Sequence, residues 1–194
     1  NSFIEAENEI RPILFLEKFN AQNKKIVAVK VNNEICSLDS PVNITSSIEP
    51  VFSDSKDGSS IYRRSLCFVL AAAAHKIFPG KRLLVGHSLG YGYYYTLELG
   101  TPLTKENILK LKNEMEQIIK DDKIIETDFI SYSEACSLFE ELGLTETRKQ
   151  LNYRCPSRVQ INRLEGFSDL YFGPLVGTTG ILNVFDLLDR KSVV

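Results

Sequence analysis

The stretch "LCFVLAAAA", residues 66–74, runs for nine residues without a charged or strongly polar side chain. With Pro79-Gly80 as a stop, the pattern predicts one helix from Tyr62 to Phe78. A helix that is apolar around most of its circumference is buried on most sides, so the remainder of the chain has to wrap it. The run Ala71–Ala74 leaves room for a neighbouring backbone to approach closely. A length of 194 residues suits one large or two small domains. No apolar run reaches the ~18 residues that span a bilayer. The formal net charge of -2 argues against a surface built for tight, sequence-blind nucleic-acid binding, though a local basic patch stays open.

Ahead of that helix, "PILFLEKF", "KIVAVKVNN", "EICSLD" and "EPVFSD" carry branched and aromatic residues between turn formers and read as short strands. Asn32-Asn33 in "VKVNNEICSL" tolerate positive φ and predict a tight hairpin. The set suggests a small β-grasp domain, residues 1–58, with "SDSKDGSS" as a linker into a second domain, residues 59–194. In that second part "RLLVGHSL" and "YGYYYTLEL" read as paired strands. "LTKENILKLKNEMEQIIKDD" is an amphipathic helix with Ile108, Leu111, Met115, Ile118 and Ile119 on one face. "KIIETDFIS" is a strand, and Ser131 with Glu134 forms a capping box before a helix that Gly143 ends. "RVQINRL" and "GILNVFDLL" read as the last strands. The expected class is α+β, with helices laid against a largely antiparallel sheet.

Few motifs carry chemistry. The chain has no G-x-x-x-x-G-K-[ST] loop, no G-x-G-x-x-G after a strand and no G-x-S-x-G elbow. "GHSLGYG" fits a hairpin better than a phosphate cradle. His75 and His87 are the only histidines and lie on different elements, and a zinc centre would need further ligands. His75 reads as a partly exposed helix-end residue and His87 as a half-buried hairpin residue beside an aromatic cluster. In that cluster Tyr91, Tyr93, Tyr94 and Tyr95 alternate across a strand, one side for the core and the other for hydrogen bonding or base stacking. "YFGPLVGTTG" is a Gly/Pro loop that either approaches a ligand or simply turns. Arg148, Lys149 and Arg154 form a basic stretch of the kind usually found on a solvated face.

The four cysteines, Cys36, Cys67, Cys136 and Cys155, show no C-x-x-C spacing and read as reduced thiols of a cytoplasmic protein. The N-terminal "NSFIEAENEI" lacks an apolar signal core. The start at Asn1 without methionine and the stop after "DLLDRKSVV" suggest a fragment of a longer protein.

The ordered series "KKIVAVKVNNEICSLDS", "RRSLCFVLAAAAHKIFPGKRLLVG", "GYGYYY", "YSEACSLFEELG" and "DLYFGPLV" resembles the TGS and editing domains of threonyl-tRNA synthetase over about Lys24 to Leu188. The resemblance implies a hydrolytic site with an H-x-x-x-H pair on the first helix and a Cys and a His flanking the Gly-Pro of the later loop. Here the helix register puts Phe68 and Ala72 at the histidine positions, and the loop has Tyr171 and Leu175. Asp169 and Lys149 stand where the family carries an aspartate and a lysine. Apolar residues neither bind a metal nor move a proton, so no catalytic or metal-binding residue is expected in this segment.

"YRRSLCF", "GHSLGYGYYY" and "YFGPLVGTTGILNVFDLL" are also similar to the variant of this domain pair found in bacterial and plant uridine kinase-like proteins, where it precedes a P-loop kinase domain. That likeness implies a non-catalytic ligand-binding or regulatory front end. Its pocket would be drawn from His87, Tyr93, Tyr95, Lys149, Asp169 and Tyr171, and its ligand would be a nucleoside, nucleotide or RNA. No cofactor is expected in the segment itself, and ATP with Mg would belong to the appended kinase domain. A homo-oligomer is compatible with this reading. The alternatives are a stand-alone deacylase of mischarged aminoacyl-tRNA and a docking module with a Tyr-rich face.

Overall fold

The computed structural model describes residues 5, 10–16, 25–90, 92–153 and 157–188. Its strand pairs are all antiparallel and fall into three small sheets, with helices packed against them, so the class is α+β. The largely antiparallel sheet expected from the strand signals is divided into three separate ones.

The first sheet has the order β2-β1-β3, from β1 (Ile26–Val31), β2 (Glu34–Cys36) and β3 (Ile48–Phe52). Asn32 and Asn33 take φ of 49° and 72°, the left-handed pair that a two-residue hairpin needs. Val27, Ala28 and Val29 on the central strand are fully buried. A register shift between Ile26 and Ala28 lets Val27 and Ala28 join the main core while Ile26 and Val29 pack under the sheet.

"PILFLEKF" does not begin as a strand: Ile13–Leu16 form one helical turn, α1. Pro12 has the φ suited to a helix start. The Leu14 amide donates back to the Arg11 carbonyl at 3.0 Å, and the Arg11 guanidinium is held 2.7 Å from Asp39. The end of that motif lies outside the described residues.

The central helix α2 spans Lys56–Ile77 and begins six residues before the predicted Tyr62. Ser55 caps it, accepting from the Gly58 amide at 3.0 Å, and Asp57 sits in its first turn. The stretch read as a linker therefore opens the helix, and the expected division at 58/59 falls inside α2. Gly58 is required by proximity, since a Cβ there would lie 1.9 Å from the Phe52 carbonyl oxygen. Ser65, Phe68, Val69 and Ala73 are fully buried, as the apolar run demands.

A bulged hairpin follows, β4 (Arg82–Leu89) with β5 (Gly92–Glu98). Helix α3 (Lys105–Lys120) lays Leu111, Met115, Ile118 and Ile119 against α2, with Ile108 half-buried at its edge. The third sheet, β6-β7-β8, comprises β6 (Glu126–Ser131), β7 (Arg158–Leu164) and β8 (Phe167–Asp169). Between β6 and β7 stand α4 (Tyr132–Glu141), which opens on the predicted Ser131/Glu134 capping box, and α5 (Thr145–Leu151). Both cover a second core of Ala135, Phe139, Leu151, Val159 and Ile161.

"GILNVFDLL" is not a strand. A 3-10 turn at Thr179–Ile181 leads into irregular chain whose backbone groups are met by side chains. The Tyr62 hydroxyl donates to the Val184 carbonyl (3.2 Å) and accepts from its amide (2.9 Å), and Lys112 pairs with Asp186 at 2.8 Å. Among the described residues, no helix is long and apolar enough to cross a membrane.

Candidate functional site

One face of α2, carrying Arg64, Phe68 and His75, organises the site. Phe68 is fully buried and meets the Tyr171 ring edge-on at 5.3 Å and the Phe167 ring at 5.6 Å. Two turns further along, His75 packs against the Phe167 ring at 5.4 Å. The Gly/Pro loop closes over this face. Arg64 donates to the Pro174 carbonyl at 2.9 Å, and the Val176 amide donates to the buried Ser65 hydroxyl at 2.9 Å. Gly173 holds φ of 101°, and a Cβ there would lie 2.8 Å from the Arg64 guanidinium. Leu175 is fully buried in the same core as Phe68 and Ala72. The positions assigned to the hydrolytic set are thus packed together as an apolar cluster. Helix α2 holds a single histidine, His75, so it offers no i, i+4 histidine pair in any register.

Asp169, Tyr95, Cys67 and the plug's own Tyr171 are titratable groups of this cluster. Asp169, at the end of β8, accepts from the Thr147 hydroxyl at 2.9 Å and from the Leu170 amide at 2.7 Å through the same oxygen. Burial pushes its carboxyl up to about 6, with those two bonds pulling the other way. It faces a cavity of about 120 Å³ bounded by α2, the start of β4 and the α4–α5 junction, with Ala71, His75, Leu84 and Thr147 among its walls. Tyr95 donates its hydroxyl to the Cys67 sulfur across from β5. Burial raises the Tyr95 phenol, the Tyr171 phenol and the Cys67 thiol. The Asp169 charge adds to the rise at Tyr171, while the Tyr95 bond and Arg64 and Arg63 oppose it at Cys67. At neutral pH the thiol and both phenols stay protonated, so none is an activated nucleophile. Within this cluster Asp169 is the group poised to titrate near neutrality.

The structure gathers Tyr95, Asp169 and Tyr171 about α2. It places His87 on the exposed hairpin, stacked on Tyr94 at 5.9 Å. Tyr93 is also on that hairpin, with about a third of its surface exposed (37%). Lys149 projects from α5 and pairs with Glu146 at 3.1 Å. Neither His87 nor Lys149 contacts Asp169 or Tyr171 among the described interactions. Tyr91, Arg154 and Cys155 lie outside the described residues. Cys67 and Thr147 belong to the cluster but carry no sequence signal beyond a buried thiol and an ordinary helix residue. His75, read as a helix-end residue, lines the cavity. Among the described residues, no group of three or more His, Cys, Asp or Glu side chains is arranged to hold a metal ion.

The chain is 28% identical over 186 residues to a threonine–tRNA ligase of Oleidesulfovibrio alaskensis, an alignment covering 95% of the chain and 29% of that enzyme. It is 32% identical over 168 residues to the threonine–tRNA ligase of Lawsonia intracellularis, covering 86% of the chain and 26% of the enzyme. With the enzyme of Thermoplasma volcanium the identity is 30% over 172 residues, 89% of the chain and 26% of the enzyme. The chain therefore spans little more than a quarter of the length of these relatives and is similar to one region within them. No family model matches it. Over nearly its whole length the chain is threonyl-tRNA synthetase-like.

Proposed function

We propose that this chain is the non-catalytic, ligand-binding or regulatory front end of a uridine kinase-like P-loop nucleoside kinase. In this reading a TGS-like unit precedes a degenerate editing-like unit, with the change between them near residue 58. The observation that supports it is the packing of Phe68, Tyr171 and Leu175 where the editing chemistry would need ligands and bases. The pocket around Asp169 persists while the hydrolytic groups are gone, which suits binding without turnover. ATP and Mg would be handled by the kinase portion, and the ligand of this portion is a nucleoside, nucleotide or RNA. The test is to read the native frame beyond Val194 and weigh the endogenous protein. A G-x-x-x-x-G-K-[ST] loop soon downstream is expected, and a stop codon near Val194 would overturn the kinase parent.

A second reading, a stand-alone deacylase of mischarged aminoacyl-tRNA, is favoured by one observation. Asp169 titrates near neutrality beside His75 on the wall of the same cavity, and such a carboxyl can act as a general acid or base.

A further inference from the structure

The Asp169 carboxylate is satisfied on one side only. The Thr147 hydroxyl and the Leu170 amide both donate to its Oδ1, at 2.9 and 2.7 Å. Among the described residues no donor reaches Oδ2. That oxygen is not sealed in either, unlike Arg63 Nε and Asn162 Oδ1, which are enclosed without a partner. Asp169 lines the cavity of about 120 Å³ between α2, the start of β4 and the α4–α5 junction, so Oδ2 is the oxygen left to face it.

Among the described residues no cation answers this charge. The influences on the carboxyl are burial, the Leu170 amide and the Thr147 hydroxyl. Of the charged groups on the cavity wall, Arg82 is paired with Glu98 at 3.7 Å and with Glu146 at 3.3 Å, and Lys81 is exposed. His75 packs against the Phe167 ring, and the neighbouring Tyr171 phenol keeps its proton. Ala71, Ala74, Leu84 and Phe167 make the wall apolar elsewhere. A carboxylate in such surroundings calls for a charge-assisted donor. With Oδ1 committed, the fork of a guanidinium finds one oxygen where it matches two, whereas an ammonium needs only one. A divalent cation would need further ligands, and among the described residues no group of His, Cys, Asp and Glu is arranged for it. Since a cavity of about 150 Å³ holds a benzene, this one has room for about five non-hydrogen atoms.

We propose that the cavity binds a small primary alkylammonium, its ammonium donating to Asp169 Oδ2 and its stem lying against Ala71, Ala74, Leu84 and Phe167. This deepens the ligand-binding reading given above, on which it rests, by naming the group that enters the cavity.

The test titrates the full chain with butylammonium, with 1-butanol as its uncharged counterpart and with uridine, followed by NMR at about pH 7.5 and about pH 5. The expected result is that butylammonium binds at least about tenfold more tightly than 1-butanol at the higher pH. Because the carboxyl titrates at about 6, butylammonium weakens about tenfold at the lower pH. Asp169→Asn brings it to the level of 1-butanol. His75→Gln, which removes the other ionisable side chain of α2 on the wall, keeps the pH step. No preference over 1-butanol in wild type, or one that survives Asp169→Asn, overturns the ammonium site. A pH step that is absent, or that vanishes in His75→Gln, does the same. If uridine binds in any of those cases the ligand-binding reading stands, and silence from all three compounds overturns both. Should Asp169→Asn not fold, as circular dichroism would show, the wild-type comparison of butylammonium with 1-butanol across pH decides alone.

Discussion

The ring of Tyr171 stands edge-on to the ring of Phe68, centroids 5.3 Å apart and planes at 82°. This contact joins the Gly/Pro loop to the central helix through two side chains that bind no metal and, at neutral pH, accept no proton. It makes the positions at which the resemblance places a hydrolytic set part of the core. Phe68→Ala removes the centre of that packing. It is expected to cost about 3–5 kcal/mol, measured by urea unfolding. Little change in the midpoint would show that the ring is not a core element.

Asp169 gives the site a pH dependence with a definite sign. Its folded carboxyl lies at about 6, above the ordinary value of 3.8, so the folded state holds the proton more tightly than the unfolded one. Its stabilising contribution is full below about pH 4 and is lost as pH rises through about 6. The two-unit rise corresponds to about 3 kcal/mol. Asp169→Asn removes this step, and its unfolding free energy is expected to lose the decline between pH 4 and 6 that the parent shows. Identical pH profiles for the two proteins would contradict the burial of this carboxyl.

Ser65 holds the loop from beneath. Its hydroxyl donates to the Ile61 carbonyl at 2.9 Å and accepts from the Val176 amide, with both Ser65 and Val176 buried. Ser65→Ala leaves that amide without a partner, at a cost of about 1–3 kcal/mol. Hydrogen exchange at Val176 is expected to accelerate in the variant, and unchanged protection would refute the bond.

Gly173 is the third fixed point of the loop. Its φ of 101° and the Arg64 guanidinium, 2.8 Å from where a Cβ would stand, both oppose a side chain. Gly173→Ala is expected to cost about 1–3 kcal/mol in thermal unfolding. A double variant with Arg64→Ala recovers the steric part and leaves the backbone part.

Local signals carried the legible portion of the fold. The apolar run of α2, the Asn32-Asn33 hairpin, the Ser131/Glu134 box and the apolar face of α3 each depend on neighbours within a few residues. The start of α2 was hidden because Ser55, its cap, sits in a Ser- and Gly-rich stretch that also describes a linker. The strand expected in "GILNVFDLL" failed for a different reason. Tyr62, over one hundred residues away, satisfies its backbone in place of a neighbouring strand. The site shows the same division. Asp169 and Tyr171 were named through the register of the family resemblance, whereas Thr147 enters only because α5 folds back onto β8. Helix α5 itself was read as a solvated basic stretch, its charges masking the two turns that place that hydroxyl.

The central claim, a pocket kept without its hydrolytic chemistry, is tested most directly by incubating the chain with mischarged seryl-tRNA and following the ester. The account predicts an ester lifetime equal to that of the buffer control. Hydrolysis by the chain that is abolished in Asp169→Asn would contradict it.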